Sequence, residues 1–224
     1  MPEKKRFVVI GLGNFGANAA AMLYRQGHEV IAVDISEETV DRVAPNVTRA
    51  AVGDGRDGTI LSHLGGDEAD VGIVSTGDDI TASVLATLTL LDLNIKEVIV
   101  KVISEDHSRV MEKIGASQTV FPEKDSAENL AQSLSDDSVL SYTRIGAGFA
   151  MQEMKTPQCW QGKTLRDLRL PSKHNLSVAG IHHMKTDTLS IPPDPDIPLA
   201  NTDTLLIAGS DTALQRARDL EERA

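Results

Sequence analysis

Cys159 is the only cysteine in the chain, and its isolation removes two kinds of architecture at once. No internal disulfide can form and no all-thiolate metal site can assemble, a usage that fits a reducing cytoplasm. Basic residues are scarce too: 22 Lys and Arg stand against 33 Asp and Glu, for a net charge of -11, and no cationic run offsets it. A partner recognised through its phosphate backbone would be repelled, so nucleic acid is not an expected ligand. Long apolar runs are also missing. Nothing approaches the roughly twenty apolar residues that span a bilayer, so a membrane role is expected to come through a partner. Lys4-Lys5-Arg6 and the apolar residues after them resemble a secretory leader only briefly. A glycine turn and Asn14 interrupt the run, and no small-residue cleavage site follows.

What the chain does hold is apolar material, 41% of its 224 residues, enough for a packed core in one large domain or in a medium domain with a small companion. Its organising stretch is Phe7-Val8-Val9-Ile10-Gly11-Leu12-Gly13-Asn14-Phe15-Gly16, a buried-strand run breaking into three glycines at dinucleotide-fingerprint spacing. It reads as strand, tight turn and helix. Gly11 can take backbone angles closed to other residues, Gly13 lets a pyrophosphate approach the main chain, and Gly16 lets the helix pack on the strand. The phosphates would meet the unpaired N–H groups and positive dipole end of that helix. Spacing alone is weak evidence, because a turn before a helix often carries glycines, but the context agrees. The next apolar run, Val30-Ile31-Ala32-Val33, ends in Asp34, about twenty residues past the turn. A carboxylate there accepts from both ribose hydroxyls and repels a 2′-phosphate, which disfavours NADP. Ile35, next along, is counted with it.

From residue 6 to about 121, short apolar runs alternate with helix-period segments, the pattern of a Rossmann-like, doubly wound parallel α/β sheet. Six strands are expected, at 6–10, 29–33, 48–52, 71–76, 98–102 and 119–121, with helices around 14–26, 37–44, 57–64, 79–92 and 105–114. In the 79–92 helix, Ile80, Val84, Leu88 and Leu91 form the stripe expected to face the core. Ser36 opens the second helix and Gly115 closes the last. Ligands gather at the carboxyl ends of such strands. Asp54 and Gly55 would border an adenine, Thr76 and Gly77 would pass close to ribose or phosphate, and Lys101 would add a cation. The plain alternative for each is turn geometry, or for Lys101 a snorkelling side chain.

Asp125 is expected to cap a helix running to about Leu134. Beyond it glycine and proline rise. Alternating runs at 149–154 and 177–183 and a plainer one at 204–208 flank a helix at 164–168 and a proline-rich loop at 191–198, with a final helix from about Ser210. The expected division is a nucleotide-binding domain over 1–134, a linker over 135–144 and a small α+β domain over 145–224.

Gly-Leu-Gly-Asn-Phe-Gly with Val-Asp, then Phe-Pro-Glu-Lys-Asp, Ala-Gln-Ser-Leu-Ser-Asp, Gly162-Lys163-Thr164-Leu165 with Leu168, Gly180-Ile181 and Asp203-Thr204-Leu205 follow one another in a specific order. The chain, over nearly its whole length, resembles the regulator-of-potassium-conductance (RCK) proteins, the KtrA/TrkA-type cytosolic subunits of bacterial potassium uptake systems. The C-terminal motifs are the looser part. The resemblance implies a non-catalytic, cytoplasmic subunit, a homo-oligomer of dimers in an octameric ring beneath an integral-membrane potassium-translocating subunit of KtrB/TrkH type. Members bind ATP or ADP, others NAD or NADH, and nucleotide exchange gates ion flux. Carried over by motif, the contacts are Gly11, Gly13, Asn14, Phe15, Gly16, Asp34, Asp54, Thr76, Gly77 and Lys101, with Glu123 near the phosphates as the candidate holder of Mg or Ca. One departure stands out. ATP-responsive relatives often carry arginine where this chain has Asn14, and Arg56 is the candidate replacement for that charge.

Two other classes compete. An NAD-dependent oxidoreductase would share the fingerprint and Asp34, yet the C-terminal part is small and proline-rich for a substrate domain. Its His182 and His183 are strand neighbours pointing to opposite faces, and Cys159 beside Trp160 reads as packing rather than as a nucleophile. A ligand-sensing transcription regulator would need a basic recognition helix, which the sequence lacks.

Overall fold

The computed structural model describes residues 3–135, 139–146 and 148–222. It falls into two compact units that divide between Glu123 and Lys124.

Among the described residues, the first unit has six parallel strands: β1 (Arg6–Ile10), β2 (Glu29–Asp34), β3 (Arg49–Val52), β4 (Val71–Val74), β5 (Glu97–Lys101) and β6 (Gln118–Val120). Parallel pairing obliges each connection to cross over. Helices α1 (Asn14–Arg25), α2 (Glu37–Val43), α3 (Gly58–His63), α4 (Ile80–Asp92) and α5 (Glu105–Ile114) supply the crossovers. The strand order β3-β2-β1-β4-β5-β6 leaves a switch point between β1 and β4, where the chain turns from building one side of the sheet to building the other. Side chains alternate across it. Val8 and Ile10 join Leu61, Ala86, Leu90 and Met111 in one core cluster, while Phe7 and Val9 join Leu12, Ala20, Val40 and Val43 in another.

Local chemistry starts and stops these helices as the sequence indicates. Ser36 Oγ accepts from Thr39 N–H at 3.3 Å, Ser104 Oγ accepts from His107 N–H at 3.1 Å, and Gly115 ends α5 at φ +110°. The stripe Ile80, Val84, Leu88 and Leu91, by contrast, is not the buried one. Ile80 and Leu88 are 42% and 38% exposed, and α4 buries Ser83, Ala86, Thr87 and Leu90. The reason lies on the sheet: Gly72 of β4 leaves room for Leu90, whose Cδ1 would stand 2.7 Å from a Cβ added there. Because α4 is apolar around most of its circumference, residue type did not mark its inner side. Strand β4 also stops at Val74, so Ser75 and Thr76 belong to the loop.

Helix α6 (Pro122–Ser135) begins earlier than the Asp125 cap expected from sequence. Pro122 accounts for this, since its fixed φ and missing N–H suit the first helical position. Residues 136–138 of the acidic cluster lie outside the described residues. The 135–144 span read as linker contains most of β7 (Val139–Gly146), which pairs antiparallel with β8 (Phe149–Lys155). The polar run Ser141-Tyr142-Thr143-Arg144 hid it, because an edge strand need not alternate cleanly.

The second unit completes a five-stranded antiparallel sheet with β9 (Leu176–His183), β10 (Thr188–Ser190) and β11 (Asp203–Ser210), in the order β10-β9-β11-β8-β7. The plain run at 204–208 is thus part of the central strand. Helices α7 (Leu165–Leu168), α8 (Leu170–His174) and α9 (Asp211–Glu222) accompany it. Met154, Trp160, Leu205, Ile207 and Leu214 are among its core residues. Thr164 and Asp167 form a reciprocal capping box at α7, and Arg166 grips Asp196 of the proline-rich loop at 2.6 and 2.9 Å. Among the described residues no helix is long and apolar enough to cross a membrane.

Two predictions follow from the packing of α4. Leu90→Ala should cost about 2–5 kcal/mol in urea unfolding, against about 0.5 kcal/mol for the half-exposed Leu88→Ala; equal costs would restore the stripe read from sequence. His107, only 2% exposed, sets Nε2 3.2 Å from Ser83 Oγ, and burial pushes its pKa below the ordinary value of 6.5. The folded state therefore holds His107 neutral while the unfolded chain takes up a proton, so stability should fall as pH drops below about 6.5. Urea midpoints across that range should fall more steeply for wild type than for His107→Gln, and parallel falls would contradict the assignment.

Candidate nucleotide site

The site grows from the end of β1. Gly11 sits at φ +87°, its N–H donates to Val33 O at 2.9 Å, and a Cβ there would lie 2.2 Å from Ser75 O. A Cβ at Gly16 would lie 1.9 Å from Gly11 O, so the start of α1 can rest on the turn only as glycine. Gly13 differs from both. Its backbone is extended (φ -61°, ψ -171°), and a Cβ added to it would meet nothing within 4 Å. Neither conformation nor packing within the chain asks for glycine at 13. The space in front of it is open.

Asp34, at the end of β2, is tied back to this turn. Its Oδ2 accepts from Leu12 N–H at 2.6 Å and its Oδ1 from Ser36 N–H at 2.9 Å. Each oxygen keeps a lone-pair direction for an outside hydroxyl. After β3, Asp54 accepts from Arg56 Nε at 2.8 and 3.0 Å, from Nη2 at 2.6 Å and from the Arg56 backbone N–H at 3.0 Å. The guanidinium holds the Asp54 carboxyl below the usual carboxylate range. After β4, Gly77 turns at φ +65° and Asp79 caps α4 through Ala82 N–H at 2.8 Å.

These four loops enclose a cavity of about 340 Å³ at the switch point. It gathers Gly11 and Gly13 from the first loop, Asp34 and Ile35 from the second, Asp54 and Gly55 from the third, and Thr76 and Gly77 from the fourth. Asn14, Phe15 and Gly16 are not among its walls. Nor are Lys101 and Glu123, which pair with each other at 2.6 Å, the lysine lowering the Glu123 pKa. A divalent ion at Glu123 would share the carboxylate with that ammonium, which holds Oε1. Among the described residues no group of three or more His, Cys, Asp or Glu is arranged to hold a metal. The sequence reading missed Ala82 and Ala86, which form the α4 wall. Two small residues one turn apart were the signal, overlooked because only large apolar ones were counted.

Asp34, Asp54 and Asp79 line the cavity against Arg56 as its cation. Phosphates would therefore rely on the N–H groups and dipole at the start of α1. In the second unit, His182 bonds Glu153 and Asp187 while His183 bonds Asp203, consistent with opposite faces. Cys159 is exposed and its neighbour Trp160 is the residue that packs.

The TrkA-N domain family matches residues 7–122, and the TrkA-C domain family matches 156–221. The chain belongs to the TrkA-N/TrkA-C family. It is 36% identical over 214 residues to the Ktr system potassium uptake protein A of Bacillus subtilis (strain 168), covering 96% of each chain. The protein of the same name from Vibrio alginolyticus is 34% identical over 205 residues, with 92% of each covered. Among solved structures, the GsuK channel bound to NAD shares the fold at TM-score 0.54 and 23% identity, over 100% of this chain and 39% of that one. The TrkA-N span takes in every cavity loop, and β7 and β8 lie between the two matched spans.

The glycines separate site from scaffold. Gly13→Ala should leave the unliganded protein within about 1 kcal/mol of wild type but abolish thermal stabilisation by adenine nucleotides. Gly11→Ala should cost the unliganded protein about 1–3 kcal/mol. Equal losses without ligand would make Gly13 a structural glycine.

Proposed function

We propose that this chain is a nucleotide-sensing regulatory subunit of a potassium uptake system. It gates a membrane-embedded potassium-translocating subunit of KtrB/TrkH type through binding of ATP or ADP, from the cytoplasmic face of the membrane. Dimers of the chain assemble into an octameric ring, and the chain itself catalyses nothing. The observation that carries this reading is the open Gly13 facing the anchored Asp34 across a cavity at the switch point. The names of the Ktr relatives support the potassium assignment. A ligand shifts a conformational equilibrium by no more than its differential affinity for the two states. ATP and ADP differ by one phosphate, so the discriminating charge must stand near it. Lys101 is engaged by Glu123 and Arg56 by Asp54, while Asn14 carries no charge. One source of that charge is the opening of the Lys101–Glu123 pair, and another is a second copy of the chain with an ion held at Glu123.

NAD or NADH is the second ligand reading, favoured by the fold shared with the NAD-bound GsuK channel. An NAD-dependent oxidoreductase is the rival function. A thermal-shift series with ATP, ADP, NAD and NADH, with and without magnesium or calcium, separates them on wild type and Asp34→Ala. At one hundred times Kd a bound nucleotide should add about 2.7 kcal/mol, and Asp34→Ala should lose most of it. No shift with any ligand would end the sensor reading, and turnover of NADH with a substrate would favour the oxidoreductase.

A further inference from the structure

The Asp54–Arg56 pair lies in the cavity wall, on a loop pinned along its length. Gly53 N–H donates to Asp34 O at 2.9 Å, Asp57 caps α3, and the single Thr89 hydroxyl proton of α4 is shared between Arg56 O at 3.0 Å and Leu85 O at 2.9 Å. Within that loop three donors of Arg56, its backbone N–H, Nε–H and Nη2–H, converge on one carboxylate. An ionised carboxylate only accepts, in about four lone-pair directions. Oδ1 takes the backbone N–H, Oδ2 takes Nη2–H, and Nε–H is shared between them at 2.8 and 3.0 Å, so three N–H groups orient Asp54 while its carboxylate, 38% exposed in the cavity wall, can still meet an outside donor. Its place in the sheet says which donor. Asp34 of β2 is the ribose end of the cavity, and β3 lies beyond β2 at the sheet edge, so the part of the ligand that reaches Asp54 is the base. Purines differ there by one group: adenine carries an amine at position 6, and hypoxanthine carries a carbonyl oxygen. An acceptor-only group bonds the first and repels the second.

Resting on the nucleotide reading above, we propose that Arg56 is a positioning residue: it fixes Asp54 as the acceptor for the 6-amino group of adenine, so that the pair selects 6-aminopurine over 6-oxopurine nucleotides. The pair is neutral overall, so this selectivity adds no repulsion against the phosphates. Arg56 then acts at the base end, not as the terminal-phosphate cation the sequence reading offered.

Calorimetric titration of the full chain with ATP against ITP, and with NAD against its hypoxanthine analogue, tests this whichever adenine ligand is the stronger. Wild type should prefer the adenine member by about tenfold or more. Asp54→Asn should bring the ratio to within about threefold, because a carboxamide can turn its NH₂ toward the carbonyl oxygen. Arg56→Ala should cut the ratio by at least about threefold, and Arg56→Lys, which restores charge without the two-pronged geometry, should not recover it. A wild-type ratio near one, or an Arg56→Ala protein that weakens every ligand equally with its ratio intact, would overturn the assignment. Failure of all four ligands to bind wild type would instead remove the nucleotide reading, and this assignment with it.

Discussion

Everything at the ligand end of the first unit depends on how closely Gly11 passes the Ser75 carbonyl. That approach brings the end of β1 against the loop after β4, and the left-handed turn it requires sends Leu12 N–H toward Asp34. Gly16 then seats α1 on the same turn, which places the start of the helix beside the open space at Gly13. One backbone contact between the loops after β1 and β4 thus sets the glycine end of the cavity, and the hydrogen bond it permits sets the carboxylate end. The substitution that breaks it costs folding and ligand geometry together.

The legible parts of the chain were those governed by backbone needs. Three glycines, a carboxylate at the end of the next strand and the alternation of short apolar runs with helical segments carry the sheet, its connections and most of the cavity wall. Ser36 and Gly115 gave helix ends because capping is local chemistry. What escaped was decided by partners distant in sequence. The inner side of α4 depends on a glycine in β4, β7 depends on pairing with β8, and the engagement of Lys101 and Arg56 depends on carboxylates that spacing does not reveal. Asn14, Phe15 and Gly16 were carried over as contacts by motif and do not line the cavity, while the packing role read for Gly16 agrees with its closeness to Gly11 O.

Electrostatics give the site a particular character. In a chain with eleven more acidic than basic residues, Arg56 and Lys101 are each matched to a carboxylate before any ligand arrives. On the proposed nucleotide reading, a phosphate entering such a site would meet backbone N–H groups first and compete for side-chain cations second. On that reading, affinity and discrimination would have separate origins, the first in the fold and the second in the opening of the Lys101–Glu123 pair.

The position of β8 has a practical edge. A fragment cut at the start of the TrkA-C match would begin at Thr156 and leave β8 behind, although β8 hydrogen-bonds the central strand β11 from Ser210 to Thr204. Its loss would turn the middle of the sheet into an open rim, uncover Leu205 and Ile207 where Met154 now shields them, and invite stacking of one truncated copy on another. The smallest piece with a closed sheet therefore starts upstream of the sequence-defined domain, at β7.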